Sequence, residues 1–335
     1  MARKQKQQHG ELSLSTFTAR RRLAAGGIST LLGGALLISS ASAPAFATDA
    51  GGTSRASDTA AVVEKATGTG DIAPSTAAAD TPAAATTTTQ AGSVTVKAPQ
   101  LASGSVTSTA GDGSSVSLDL PGTADSTGTK LGAGTVVYLD AAASTDVAVQ
   151  PTTDGGARTL VTLKDGKAPT EHRFTFDLPA HATLSADGAG GYEILKPLGD
   201  GGVITAGTIE APWAKDANGA PVPTRYRLEG STLVQEIDTD SDTAFPVVAD
   251  PKYTWGIVTG TAYMNRAETK KIATYGAMAG LAAGALPPPL NVLYTTNATL
   301  VTAKAVSANS AKQCLKIKFA AGLFIPGAYK GGHCK

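Results

Sequence analysis

The chain has 335 residues, with 28 Lys and Arg against 27 Asp and Glu, a formal net charge of +1 and only 2 cysteines. Two cysteines without a C-x-x-C spacing leave no zinc or dithiol motif, and a near-neutral total provides no chain-wide basic field for nucleic acid. The charge is unevenly spread, however, and is informative region by region.

Residues 1–47 read as an export signal. Arg3, Lys4 and Lys6 and the cluster Arg20-Arg21-Arg22 precede the uncharged run LAAGGISTLLGGALLISSASA. The motif APAFA then sets the small residues Ala45 and Ala47 ahead of a cleavage point before Thr48. The arginines and the Gly/Ala-diluted run suit twin-arginine export, but Leu23 stands where that route prefers phenylalanine, so general secretion stays open beside it. Either route makes the expected location extracellular or the cell envelope. Residues 48–95, as in TAAADTPAAATTTTQAG, are expected to be a disordered linker. They hold almost no large apolar side chain to offset the entropy of ordering.

Residues 96–251 are expected to form an acidic antiparallel β domain, a meander or sandwich of up to roughly ten strands by usual strand lengths. The runs GTVVYLD, RTLVTLKD, HRFTFDL, YEILK, TRYRLEG and TLVQEID alternate or concentrate β-branched and aromatic residues. Asp165-Gly166, Asp187-Gly188, Gly201-Gly202, Asn218-Gly219 and Gly230-Ser231 supply turns between them. Residues 48–251 carry 12 Lys and Arg against 25 Asp and Glu, a net of −13. Pro251 and the charge reversal at Lys252 mark a boundary.

Residues 252–335 are expected to form a small basic α+β domain with a helical hairpin, carrying 10 Lys and Arg and the single acid Glu268, a net of +9. TWGIVTGTAYM reads as a strand. Asn265 then caps a helix, with Glu268 three residues on as in a capping box, running until Pro287-Pro288-Pro289. A second helix is expected within NVLYTTNATLVTAKAVSANSAK, followed by the strand CLKIKF and a Gly-rich return. The return brings Cys334 to Cys314, and an even pair in an exported chain reads as one disulfide. Gly276, Gly280 and Gly284 recur every fourth residue and are expected as a small-residue row along which the helix packs closely on a neighbour. The uncharged run between Lys271 and Pro287 is 15 residues, mostly Ala, Gly and Thr, which is too short and too weakly apolar to span a bilayer. A membrane-active domain that is soluble when folded and drawn to anionic lipid stays open beside the core assignment.

Motifs of catalysis are absent: there is no G-x-S-x-G, H-E-x-x-H, P-loop or dinucleotide fingerprint. His172 is expected at a strand edge and His181 in a turn, both as surface residues. Asp238, Asp240 and Asp242 begin like an EF-hand loop, but its sixth and twelfth positions would be Thr243 and Ala249 instead of Gly and Glu. No cofactor, metal or catalytic residue is assigned.

The wording of APWAKDANGAPVPTRYRLEGSTLVQEID…FPVVADP, YMNRAETKKIA and CLKIKF…PGAYKGGHCK resembles a group of secreted actinobacterial proteins over residues 170–335, and the group implies no particular activity. The expected function is therefore that of a secreted or envelope-associated, non-catalytic protein. It would present its basic domain, through Lys270, Lys271, Lys316, Lys318 and Lys330, to an anionic partner such as lipid or a cell-wall polymer. The alternative is a precursor whose acidic β region restrains a cationic, membrane-active antibacterial or toxin-like domain. The two regions are also candidates to contact each other, and nucleic acid is not an expected partner.

Overall fold

The computed structural model describes residues 50–76, 81–89, 92–256, 259–280, 285–288, 290–320 and 323–335. The export signal with its expected cleavage point at Ala45, Ala47 and Thr48 lies outside the described residues, as does Gly284. Helix α1 (Ala50–Thr67) comes first, followed by β1 (Ala84–Thr89), β2 (Gly92–Lys97), β3 (Ser105–Ala110), β4 (Ser115–Asp119) and β5 (Thr129–Leu131). Next come β6 (Thr135–Ala142), β7 (Thr145–Pro151), β8 (Gly156–Leu163), β9 (Glu171–Asp177), β10 (Thr183–Ala186), β11 (Tyr192–Pro197) and β12 (Gly202–Ile209). After them run β13 (Ala214–Lys215), β14 (Thr224–Glu229), β15 (Thr232–Ile237), β16 (Val247–Ala249), β17 (Lys252–Trp255) and β18 (Thr259–Met264). The C-terminal part adds α2 (Arg266–Tyr275), α3 (Leu290–Thr296), α4 (Ala298–Ser310), β19 (Cys314–Ala320) and β20 (Leu323–Tyr329).

The chain is thus mainly β, with an α+β C-terminal part. A 7-stranded sheet has the order β1-β2-β3-β4-β9-β15-β14, and a 13-stranded sheet runs β20-β19-β18-β12-β17-β8-β7-β6-β5 with β10, β11, β13 and β16 as side branches. Val106, Phe174 and Leu233 of the first share one buried cluster with Tyr138, Val161 and Tyr253 of the second. The two sheets therefore pack face to face as a sandwich. Phe176 meets Tyr253 edge-on at 5.8 Å between centroids, and the Tyr253 hydroxyl lies 3.0 Å from Ser108 Oγ.

Strands β7 and β8 are buried along both faces. Val147 and Val161 point into the sandwich, whereas Ala148 and Leu160 lie under α1 with Ala56, Ala60 and Val63. This helix occupies part of residues 48–95, where a disordered linker was expected, and β1 and β2 occupy more of it. The physical reason is that α1 docks through small side chains and side-chain bonds in place of bulk. Thr59 Oγ1 donates to Asp146 at 2.8 Å, Arg55 pairs with Asp140 at 2.7 Å, and Thr135 donates to Glu64 at 2.7 Å.

The expected boundary at residues 251/252 falls inside the larger sheet. β12 pairs through Gly202, Val203 and Ile204 with β18 and through Gly207, Thr208 and Ile209 with β17, while β17 also pairs with β8. Glycine is required where these strands converge: a Cβ on Gly202 would stand 1.9 Å from the Tyr263 carbonyl oxygen, and one on Gly207 2.3 Å from that of Thr254. On one face of β18–β20, helices α2, α3 and α4 close a second core of Met264, Ile272, Tyr294, Val301, Leu315 and Ile317.

Asn265 caps α2 as expected, its side chain accepting from the Glu268 N–H at 2.8 Å. The helix nevertheless stops at Tyr275, well short of the prolines. Gly276 terminates it at φ +87°, a conformation that suits glycine, and its N–H bonds to the Ile272 carbonyl. A short turn, Ala277–Ala279, follows. Gly276 and Gly280 thus do not form a row along one helix. Gly276 ends the helix, and Gly280 lies where a Cβ would be 2.6 Å from Ile272 Cγ1. The second expected helix is two, α3 and α4, broken at Asn297, whose side-chain amide donates back to the Leu293 carbonyl at 2.8 Å.

Candidate functional site

The predicted lysines all belong to the C-terminal part but lie on two sides of it, Lys270 and Lys271 on helix α2 and Lys316 and Lys318 on the sheet face turned away from the helices. On β19, Leu315, Ile317 and Phe319 are buried, while Lys316 is half-buried and Lys318 exposed on the opposite face. In antiparallel pairs, directly opposed residues share a face. Lys316 therefore lies in a row with Tyr263 and Gly327, and Lys318 with Thr261 and Ile325. Cys314 on the same side is bonded to Cys334, 20 residues away, with the Cα atoms 5.5 Å apart. That bond holds the C-terminal return against the sheet, where Tyr263 packs on Tyr329 at 5.3 Å and on His333 at 6.0 Å. The Tyr263 hydroxyl donates to Glu193 at 3.0 Å. Burial first, and the Glu193 carboxylate second, push that phenol up to about 12.

Lys270 and Lys271 are exposed on α2, and Lys330 is exposed just beyond β20. The helices that carry this region are tied to the sheet by directed bonds. The Leu315 N–H donates to Thr269 Oγ1 at 3.0 Å, the Ala277 N–H to Thr302 Oγ1 at 2.8 Å, and the Tyr294 hydroxyl to the Ala277 carbonyl at 3.0 Å.

Ion pairing is uneven along the chain: six of the twelve bases between residues 48 and 251 pair with acids, and Lys65, Lys97, Lys130, Lys167, Lys196 and Lys215 have no carboxylate within 4.0 Å among the described residues. Arg158 pairs with Asp71, Lys164 with Asp140 and Asp146, Arg173 with Glu229, Arg225 with Asp238, and Arg227 with Glu171. Lys252 lies 2.8 Å from Asp154 and 2.9 Å from Glu210, and among the described residues no base beyond it has a carboxylate within 4.0 Å. Lys270, Lys271, Lys316, Lys318 and Lys330 all belong to that unpaired set. Apolar exposure is concentrated there too. Seven of the eight large apolar side chains left exposed among the described residues lie between Tyr275 and Ile325, the exception being Leu101.

The acidic run Asp238, Asp240 and Asp242, which fails the EF-hand rule, is engaged within the protein. Asp238 pairs with Arg225 at 2.9 Å, and Asp240 accepts from the Asp242 N–H and the Thr243 hydroxyl. His181 lies exposed in a turn at φ +64°. His172, expected at the surface, is instead only 3% exposed within β9. Burial pushes its imidazole down to about 4, against a hydrogen bond with the Pro169 backbone.

His172 belongs to a polar cluster between the sheets that the sequence reading missed. Tyr226, Gln235 and His172 are direct partners across β14, β15 and β9, so they form one row on one face. Gln235 Nε2 donates to Asp250 Oδ1 at 3.2 Å, which also accepts the Trp213 N–H at 2.9 Å. Asp250 is fully buried, and burial pushes its carboxyl up to about 7. Gln235 Oε1 and His172 Nε2 find no hydrogen-bond partner among the described residues, while Asp250 Oδ2 and the Tyr226 hydroxyl face each other closely enough to affect each other's ionisation without meeting strict hydrogen-bond geometry. Asp250 directly follows the buried strand β16.

Two lysines secure the end of α1. Lys65 donates to the Ala217 carbonyl at 2.9 Å and Lys215 to the Ala66 carbonyl at 2.8 Å, flanking a cavity of 330 Å³ lined also by Val62 and Val248. Compared with protein-family models, curated proteins and solved structures, the chain matches none.

Proposed function

We propose that this is an exported, non-catalytic protein of the cell envelope or the extracellular space, which presents its basic, disulfide-closed C-terminal part to an anionic partner. The observation that carries the proposal is that, among the described residues, none of the nine bases beyond Lys252 has a carboxylate within 4.0 Å, whereas six of the twelve between residues 48 and 251 do. Unneutralised cations on a rigid support attract polyanions and lose that attraction as salt rises. We favour presentation over release as a free effector because β17 and β18 are integral to the larger sheet. Freeing residues 252–335 would strip pairings from β8 and β12.

The test uses the secreted chain as the producing cell delivers it. Binding to immobilised polyphosphate is measured at low and high salt for the wild type and for a variant with Lys270, Lys271, Lys316, Lys318 and Lys330 changed to Gln. The proposal expects salt-sensitive binding that the variant loses by at least tenfold. Equal binding by both proteins, or none by the wild type, overturns it. Intact mass of the secreted protein adds the location of any cut near Asp250–Lys252.

A further inference from the structure

The helical side of the C-terminal part combines three features that are seldom found together on a surface. The first is exposed apolar bulk: Tyr275 is 75% and Met278 61% exposed, and Leu300 and Val306 are exposed on α4. The second is arrangement. Tyr275 and Met278 flank an open groove of 490 Å³ whose other wall is Ala298, Thr299, Thr302 and Ala303 of α4. Val306 continues that wall, since residues 299, 302, 303 and 306 recur at helical spacing. The third is charge of a single sign. Lys271 stands one turn before Tyr275, and Lys304 one turn after Leu300. The only acid after Lys252 is Glu268, and it is buried.

We propose that this groove and its rim seat on an anionic lipid bilayer, with Tyr275, Met278, Leu300 and Val306 entering the headgroup–acyl boundary and Lys270, Lys271 and Lys304 contacting lipid phosphate. The inference rests on the proposed presentation of a basic face and names its partner. A soluble polyanion would engage the lysines but offer nothing to the apolar side chains, whereas an anionic bilayer engages both. No helix of the described residues is long and apolar enough to cross a membrane, so the contact is interfacial.

The experiment compares the full secreted chain with M278S/L300S and K270Q/K271Q. Each is co-sedimented with vesicles of phosphatidylcholine alone and of equal parts phosphatidylglycerol and phosphatidylcholine, and bound in parallel to polyphosphate. All four positions are surface residues, and circular dichroism melts check that the variants remain folded. Wild type is expected to sediment only with phosphatidylglycerol vesicles. M278S/L300S leaves the charge unchanged and should lose that partitioning by about tenfold or more while keeping its polyphosphate binding. K270Q/K271Q should weaken vesicle binding at least tenfold, from about fivefold for each lysine near an anionic surface. Vesicle binding unchanged in M278S/L300S overturns the inference. So does wild-type binding to polyphosphate without vesicles, although the broader anionic reading then survives. Binding to neither overturns both.

Discussion

Replacing Asp250 by Asn should stabilise the protein at alkaline pH and leave it unchanged at acid pH. The carboxyl is fully buried and lifted from 3.8 to about 7. A raised folded-state pKa means that the folded form holds its proton more tightly than the unfolded chain does. The contribution of this group is therefore fully present below about 4 and is lost as pH climbs to about 7. The separation, at about 1.4 kcal/mol per pH unit, corresponds to a loss of about 4 kcal/mol. Asn keeps an acceptor for the Trp213 N–H and Gln235 Nε2 and never ionises, so it escapes that loss. The neighbouring groups do not reverse the sign. The Tyr226 phenol is held well above its usual range by burial and by Asp250, so it stays neutral. His172 acts in the opposite sense: its imidazole is lowered from 6.5 to about 4, so its contribution is present above about 6.5 and disappears toward 4. The two slopes largely cancel in the wild type, and only the difference between wild type and variant isolates Asp250. Urea unfolding followed by the fluorescence of Trp213 and Trp255, from pH 4 to pH 8, provides that difference. It should be near zero at pH 4 and reach about 4 kcal/mol in favour of D250N at pH 8. A difference that does not change with pH, or one that favours the wild type at pH 8, refutes the reasoning.

Removing the disulfide with C314S/C334S should lower stability by about 3 kcal/mol, the loop-closure value for its 20-residue separation, measured by urea unfolding under oxidising conditions. Changing Gly202 to Ala should cost 2 kcal/mol or more, estimated roughly from a Cβ placed 1.9 Å from the Tyr263 backbone oxygen; an unaltered melting temperature would show that β12 and β18 are not so closely joined. Ala60→Asp buries a charge between α1 and the outer face of β8. It should cost about 3 kcal/mol and raise binding of an apolar-surface dye, whereas normal dye binding with an unchanged melt would mean that α1 does not cover that face.

The strands β6, β8, β9, β11, β14 and β15 were legible because their residues concentrate β-branched and aromatic side chains between turn signals. Short strands such as β5, β13 and β16 were not, since two or three residues carry no period. Helix α1 escaped notice because its buried face is Ala56, Thr59, Ala60 and Val63, a composition shared with unstructured spacers. What orders it, the partners Asp140, Asp146, Lys215 and Ala217, lies 80 or more residues along the chain. Spacing alone makes Gly276 look like a packing residue, since it does not distinguish a small contact from a positive-φ helix terminator. Of the candidate site, the disulfide and the lysines were visible in composition. Asp250 and His172 were not, because their meaning depends on two sheets closing over them.

The order in which the chain visits its two sheets has consequences for how it acquires structure. It builds β1–β4 in the smaller sheet, crosses to the larger for β5–β8, returns for β9, crosses again for β10–β13, returns for β14–β15 and finishes in the larger sheet. The central pair β4–β9 joins residues near 118 and 176, and β8–β17 joins residues near 157 and 253. Neither sheet is complete until more than half of the other has formed, although β1–β4 and β5–β8 are each local meanders. Long-range pairings such as β4–β9 and β8–β17 slow the search for the native state, because the loops they close must be ordered before the contacts that reward them form.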